Sequence, residues 1–450
     1  MQNLYEAFPR MKKHVGFNLK DFEGAQPNME RLRGYRMGRL QAELKRLGYP
    51  GIVLFDPINI RYATGSRNMS VWTMHNAARY CFVPAHGKAV LWDFHNCEHL
   101  SDGLETIEEV RPAKAFFFFS AGNRGAEKAK LWSEEIADVI RKKCGPDTKR
   151  IAFDKLDPLG LFAMQACGFE VLEGQEPCEI ARSVKSADEI ACMLHALAVC
   201  EAGMARMYRE MLPGVTEQDL WASLNDTNNR LGGEWIECRI LSSGGRTNPW
   251  FQECSDKILR PGDMVSYDTD LIGPYGYCAD LSRSYLCGRD KGTDDQRKLM
   301  GLAMEQIHYN IGIIKPGMTC REMSEKAWRI PNIYAKNRYS CVAHGVGMCD
   351  EWPKVTHAQD IARSQYDATL LPGMTICVES YIGEEGGDLV GKIGPFFKET
   401  ALLQVPRELV KIMRQPPQIA CGPAPQPGEE QQMQQSRSRD DWCRPVRDMR

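Results

Sequence analysis

At 450 residues the chain exceeds one ordinary domain of ~100–200 residues and has length for two or three. Its 57 lysines and arginines against 59 aspartates and glutamates give a net charge of −2, which leaves no global basic field for nucleic acid and no polybasic patch for a membrane surface. A composition of 43% hydrophobic and 26% charged residues is that of a soluble globular protein, not a disordered or fibrous one.

No window approaches the ~18 uninterrupted apolar residues of a spanning helix, and MQNLYEAFPRMKKHVGF lacks the apolar core of a signal peptide, so a cytoplasmic protein is expected. Seventeen cysteines, scattered without CxxC pairs and mostly inside apolar runs such as those around Cys81, Cys192, Cys200 and Cys377, read as reduced core thiols. Without tightly spaced thiolates, any metal must take oxygen and nitrogen ligands.

In chain order, residues 1–30 read as an extended arm of mixed charge, and apolar spacing among arginines predicts an amphipathic helix from Met29 to Leu47. The β-rich runs GIVLF (51–55), YCFVP (80–84) and KAVLWDF (88–94), a helix over 130–144, and strands RIAFD (150–154) and FEVLEG (169–174) predict a first α/β domain over 31–178. One long helix is expected from Ala181 to Met207. The second domain, 179–413, mixes helices at 217–231, 294–312 and 320–329 with strands at 265–270, 339–343 and 374–380, which predicts an antiparallel or mixed sheet and an α+β class. Residues 414–450, rich in Gln and Pro, lack the apolar content for a core and read as disordered.

The strongest chemical signal is acidic residues inside apolar strands: Asp268 and Asp270 in VSYDTDLIG, and Asp280 in GYCADLSRSY. Residues at i and i+2 on a strand share a face, and a hairpin over Gly273–Pro274–Tyr275–Gly276 brings Asp280 to them. One such aspartate is most simply a turn cap or the partner of Arg283. Three converging carboxylates repel one another unless a cation lies between them. His344, flanked by Gly345 and Gly347 in YSCVAHGVGMCDEWP, offers a nitrogen ligand, and Glu379 ends the apolar strand MTICVES. A set rich in carboxylates with one imidazole suits two divalent ions such as Fe, Mn, Co or Zn.

The order Asp-x-Asp, Asp, HGxG, Glu, with RSVKSADEI (182–190) before it and DPINIRYATG (56–65) in the first half, resembles the creatinase/aminopeptidase P/methionine aminopeptidase superfamily over roughly residues 30–405. Within it, GGEWIECRILSSGGRTNPWFQEC (232–254), DTDLIGPYGYCADLSRSY (268–285), HGVGMCDEWP (344–353) and CVESYIGEEGGD (377–388) are similar to the dimethylsulfoniopropionate lyase branch. The resemblance implies a creatinase-like first domain and a second of pita-bread form with a curved, mainly antiparallel sheet. It implies a homodimer with the arm near the partner's site, and two divalent ions, iron first, with Mn, Co or Zn as alternatives. The ligands it implies are Asp268, Asp270, Asp280, His344 and Glu379, with Asp350 as base and Tyr339 as an active-site tyrosine.

The implied reaction cleaves a small zwitterionic sulfonium to dimethyl sulfide and acrylate by β-elimination. Trp72, Trp250, Phe251, Trp352 and Tyr339 are candidate aromatic surfaces for the sulfonium, each also readable as a core aromatic. Peptidases of the superfamily carry a second histidine soon after HGxG; here Met348, Cys349 and Asp350 stand there and His357 is the only later one, which favours elimination over amide cleavage. The sequence departs from the branch where a last glutamate falls on Gly394. Either a longer hairpin puts Glu399, in KETALLQV (398–405), in its place, or the C-terminal part of the site is altered. A peptidase-like hydrolase and a metal-free binding protein on the same fold are the alternatives.

Overall fold

The computed structural model describes residues 26–288 and 291–383. Most of the expected arm, Gly394, Glu399 and the 414–450 tail lie outside those residues. Asn28 caps helix α1 (Met29–Arg46) by accepting from the Arg31 N–H. Leu32, Met37, Leu40 and Leu44 form its buried stripe.

Six strands follow: β1 (Gly51–Leu54), β2 (Tyr80–Pro84), β3 (Ala89–Asp93), β4 (Ile107–Pro112), β5 (Arg150–Phe153) and β6 (Glu170–Glu173). They form one mixed sheet in the order β4-β3-β2-β1-β5-β6. Both faces of β1 are buried, which explains a run without polar alternation. Ile52 and Leu54 pack with the residues of α1, whereas Val53 and Phe55 pack with Trp132, Ile136 and Ile140 of helix α3 (Gly125–Cys144). Helix α2 (Pro57–Thr64), capped by Asp56, leads from β1 toward the second domain. A short helix α4 (Pro158–Ala166) joins β5 to β6.

The single helix expected over 181–207 is two: α5 (Gln175–Ser183) and α6 (Ala187–Glu210). Val184 is extended and bridges to Met374, and Ser186 starts the second helix with a capping box. The Ser186 hydroxyl accepts from the Glu189 N–H while the Glu189 carboxylate accepts from the Ser186 N–H. By length and composition α6 could cross a membrane, yet 72% of its apolar window is buried within the fold, as in a core helix.

The second domain holds helices α7 (Glu217–Arg230), α8 (Asp294–Ile313) and α9 (Cys320–Lys326). Its short strands are β7 (Trp235–Ile236), β8 (Leu241–Ser243), β9 (Met264–Asp268), β10 (Leu271–Ile272), β11 (Cys278–Ala279), β12 (Ser282–Leu286), β13 (Ala343–Val346), β14 (Asp350–Val355) and β15 (Ile376–Val378). They pair antiparallel in three sets, β12-β9-β8, β11-β10-β7 and β14-β13-β15. The α+β class expected from the sequence is the one observed.

Expected boundaries shift at several elements: the strand expected over 374–380 spans Ile376–Val378, and the helix expected from 130 begins at Gly125. The strand expected over 265–270 stops at Asp268, the one expected over 339–343 begins only at Ala343, and the helix expected to 329 ends at Lys326, where Ala327 turns to ψ 152°. Buried ion pairs seat the first domain on the second. Arg61 on α2 makes a two-pronged bond to Glu234 at 2.7 Å, and Arg36 lies 3.5 Å from Glu189, which also accepts from the Tyr277 hydroxyl.

The capping box sets where α6 begins, so Ser186→Ala is expected to cost about 1 kcal/mol of stability. Denaturant unfolding of the variant checks this; an unchanged midpoint would show that packing alone places the helix start.

Candidate metal centre

The site begins where β9 stops. Asp268, its last residue, lies opposite Ser282 of β12, whose hydroxyl donates to Asp268 Oδ1 at 2.5 Å. Thr269 bridges the interrupted ladder: its hydroxyl donates to the Ala279 carbonyl at 2.7 Å and accepts from the Leu281 N–H at 3.0 Å. Asp270 then takes a left-handed φ of 37°, a conformation non-glycine residues adopt mainly when they are Asn, Asp or His. The hairpin of β10 and β11 turns through Pro274–Gly276 and delivers Asp280. One oxygen from each of Asp268, Asp270 and Asp280 lies within 4.8 Å of the others. The three meet through a kink and a hairpin, not along the straight strand that i, i+2 spacing suggests.

His344 reaches the same place from β13, which pairs with both β14 and β15. Its Nε2 is 3.4 Å from Asp280 Oδ2 and 3.7 Å from Glu379 Oε1. Its Nδ1 lies 2.9 Å from the Gly345 carbonyl, a partner that suits an Nδ1–H tautomer and turns the Nε2 lone pair toward the carboxylates. Glu379 follows β15, fully buried, with its N–H donating to the Val342 carbonyl.

The electrostatics of this arrangement call for positive charge. Burial, then the charges of Asp280 and Asp350, push the Asp270 carboxyl far above the usual range. Burial and Asp280 push Glu379 up to about 7. Burial alone would lower His344, but Asp280, Glu379 and Asp350 outweigh it and raise its pKa. Asp280 Oδ1 is buried with no hydrogen-bond partner. An orphaned oxygen amid crowded carboxylates, with an imidazole at the edge, is a donor set that fits a divalent cation. Two thiols stand within ligand range as well: Cys377 beside Asp280 and His344, and Cys278 beside Asp270 and Asp350.

Asp350 opens β14 with Oδ1 3.8 Å from His344 Nδ1 and its side chain 57% exposed. Partial desolvation raises its pKa to about 6; His344 opposes the shift, and Asp280 and Glu351 add to it. Tyr339 sits beside the cluster, its hydroxyl pushed up by burial and by Glu379. Phe251 stacks on Tyr339 with ring centroids 5.5 Å apart, while Trp250 packs at 5.6 Å against Tyr381. Trp352 packs partly buried against the core of Val342, Val355 and Ile376. Trp72 has its ring neighbours, Phe94, Phe117 and Phe119, in the first domain.

Sequence reasoning passed over Tyr381 and Glu351. Tyr381 stands two residues beyond Glu379, a spacing that could have marked a shared face had the strand been extended that far. Glu351 follows Asp350 and belongs to a buried network with Lys185 and Arg182. His357, 3% exposed, is held neutral by burial and by Arg338, its pKa lowered to about 4.

A profile of the creatinase/prolidase N-terminal domain matches residues 36–170, and one of the metallopeptidase family M24 matches residues 191–404. The chain is 41% identical over 374 residues to dimethylsulfoniopropionate lyase DddP of Roseovarius nubinhibens, covering 82% of this chain and 84% of that one. It is likewise 41% identical to the lyase of the same name from Roseobacter denitrificans, over 82% of this chain and 83% of the relative. Among solved structures, a Xaa-Pro dipeptidase from Bacillus anthracis superposes with a TM-score of 0.64 at 20% identity, over 80% of this chain and 93% of that one, a likeness of fold.

If the carboxylates converge on a cation, added Mn2+ raises the melting temperature of metal-stripped protein, by the equivalent of about 2.7 kcal/mol at a concentration one hundred times the dissociation constant. Asp280→Asn should lose most of that rise and most of the bound metal in elemental analysis. Equal stabilisation of both proteins would remove Asp280 from the ligand set.

Proposed function

Because this chain belongs to the dimethylsulfoniopropionate lyase family within the divalent-metal-dependent M24 superfamily, we propose that it eliminates dimethyl sulfide from dimethylsulfoniopropionate at the centre built by Asp268, Asp270, Asp280, His344 and Glu379, with Asp350 as the base. The chain is a carbon–sulfur lyase of that family, and the observation that carries the residue assignment is the partly exposed Asp350 carboxylate at the side of His344. Two divalent ions, iron first, with Mn, Co or Zn as alternatives, are the proposed cofactors. Glu399 is the proposed last ligand.

Bound metal would supply an anchor for the substrate carboxylate and acidify the C–H next to it. Asp350 takes that proton, the C–H electron pair becomes the second bond of acrylate, and the C–S bond breaks with its pair leaving on neutral dimethyl sulfide. The proton passes from the exposed Asp350 side chain to solvent, so the zwitterion yields acrylate, dimethyl sulfide and one proton. No tetrahedral intermediate forms, so no second histidine is required.

The sulfonium is placed against the aromatic group of Trp250, Phe251, Tyr339 and Tyr381, where a soft cation gains ~0.5–2 kcal/mol. Phe251 supports this placement: it is 56% exposed at a φ of 67°, held over Tyr339 by its stacking. Trp352, on the strand of the base, is the next aromatic surface, and Trp72 lies half-buried in an aromatic patch of the first domain with Phe94, Phe117 and the exposed Phe119. A cytoplasmic homodimer is the proposed assembly. The peptidase reading is disfavoured because the one histidine after HGVG, His357, is a neutral core residue.

Headspace dimethyl sulfide from purified protein tests the assignment. Asp350→Asn should retain its metal and lose at least ~100-fold in kcat; release at the wild-type rate would exclude Asp350 as the base. Phe251→Ala should raise KM for the sulfonium by about 2–30-fold with kcat little changed. An unchanged KM would move the cation elsewhere.

A further inference from the structure

Glu351 directly follows the base, and strand alternation turns it to the opposite face of β14. Its side chain is 1% exposed and receives three donors: Lys185 Nζ at 2.7 Å, Arg182 Nε at 3.2 Å and the Met348 N–H at 3.0 Å. The two cations come from the junction between α5 and α6 and are themselves buried, with side chains 5% and 1% exposed. Arg182 also donates to Asn59 on α2 of the first domain and pairs with Glu179. One network thus joins both domains to the residue beside Asp350.

The sequence around the histidine is shaped by this network. A Cβ on Gly347 would lie 2.5–2.7 Å from the Glu351 carboxylate, so the second glycine of HGVG makes room for Glu351. The β13–β14 hairpin has a register irregularity between His344 and Gly345, the point from which ligand and base diverge. A one-residue slip would send every following side chain to the other face. β15 fixes β13 in regular register on its other side, and on the β14 side a buried carboxylate held by three donors is the feature that ties the ladder to one register. Such a cluster is a poor source of net stability, because desolvation offsets its Coulomb gain, and its best attested yield is a specified geometry.

We propose that Glu351 is a positioning residue for the elimination, its clamp on Lys185, Arg182 and the Met348 N–H fixing the 347–349 turn and with it the stance of Asp350 beside His344. The proposal rests on the lyase reading given above. It separates two carboxylates adjacent in sequence: Asp350 meets the substrate, and Glu351 acts through Asp350.

The test uses full-length, metal-loaded Glu351→Gln together with the double variant Lys185→Met/Glu351→Gln, which removes the buried Lys185 cation while Arg182 keeps its pairing with Glu179. Dimethyl sulfide kinetics, metal content and melting temperature are measured on each. The double variant is expected to keep its metal, melt within a few degrees of wild type and hold KM within about threefold, while kcat falls at least tenfold, as a misplaced base predicts. A folded, metal-loaded double variant with wild-type kcat overturns the proposal, as does a fall in kcat that only tracks lost metal. If wild type itself releases no dimethyl sulfide, the lyase reading fails and takes this proposal with it; an active wild type with an equally active double variant defeats the positioning role alone.

Discussion

Negative charge gathered in a place that water barely reaches is the constraint on which the rest of the second domain depends. Asp268, Asp280 and Glu379 are each at most 2% exposed, and Asp270 joins them with its carboxyl pushed up by burial and by its neighbours Asp280 and Asp350. Buried carboxylates at such separations cannot all remain ionised without a compensating cation. The local structure is consistent with that demand. β9 ends at Asp268, Asp270 carries the second carboxylate in a left-handed conformation, and a tight hairpin returns Asp280. Thr269 supplies hydrogen bonds that a continuous ladder would otherwise have made, and the Ser282 hydroxyl donates to the Asp268 carboxylate. The break between β9 and β10 falls where Asp268 and Asp270 turn toward the cluster.

A second theme is the use of buried ion pairs at the junction between the domains. Arg61 with Glu234, Arg36 with Glu189 and Tyr277, and Arg182 and Lys185 with Glu351 all join segments distant in sequence. Such pairs contribute modest net stability but tolerate few alternative geometries. The first domain, a sheet whose strands β1 to β3 are buried on both faces, is therefore more than a packed appendage: through Asn59 and Arg182 it reaches the strand that carries Asp350.

Much of the fold was legible in the sequence, because the elements of the first domain obey simple rules. β1, β2 and β5 are apolar runs between glycine, proline and polar turns, and α1 has a clean amphipathic stripe. The second domain was harder. The break between α5 and α6 is set by the Ser186 capping box within a pattern that reads as one helix, and the late start of β13 is set by pairing with β15, a contact distant in sequence. Asp268, Asp270 and Asp280 could be grouped because carboxylates in apolar strands are costly, although the kink at Asp270 could not. The Glu351 network was hidden because its partners lie some 170 residues away, and no local pattern distinguishes a buried glutamate from a solvated one. Glu399 and Gly394 fall outside the described residues, so the last ligand is assigned by sequence alone.

The central claim, that the carboxylate cluster is a metal centre serving carbon–sulfur elimination, is tested most directly by measuring dimethyl sulfide release from dimethylsulfoniopropionate and the metal content of the same purified sample. The account predicts release with about two divalent ions per chain, lost on chelation and restored by adding metal back. Release that persists in metal-free protein, or a fully loaded protein that releases none, would contradict it.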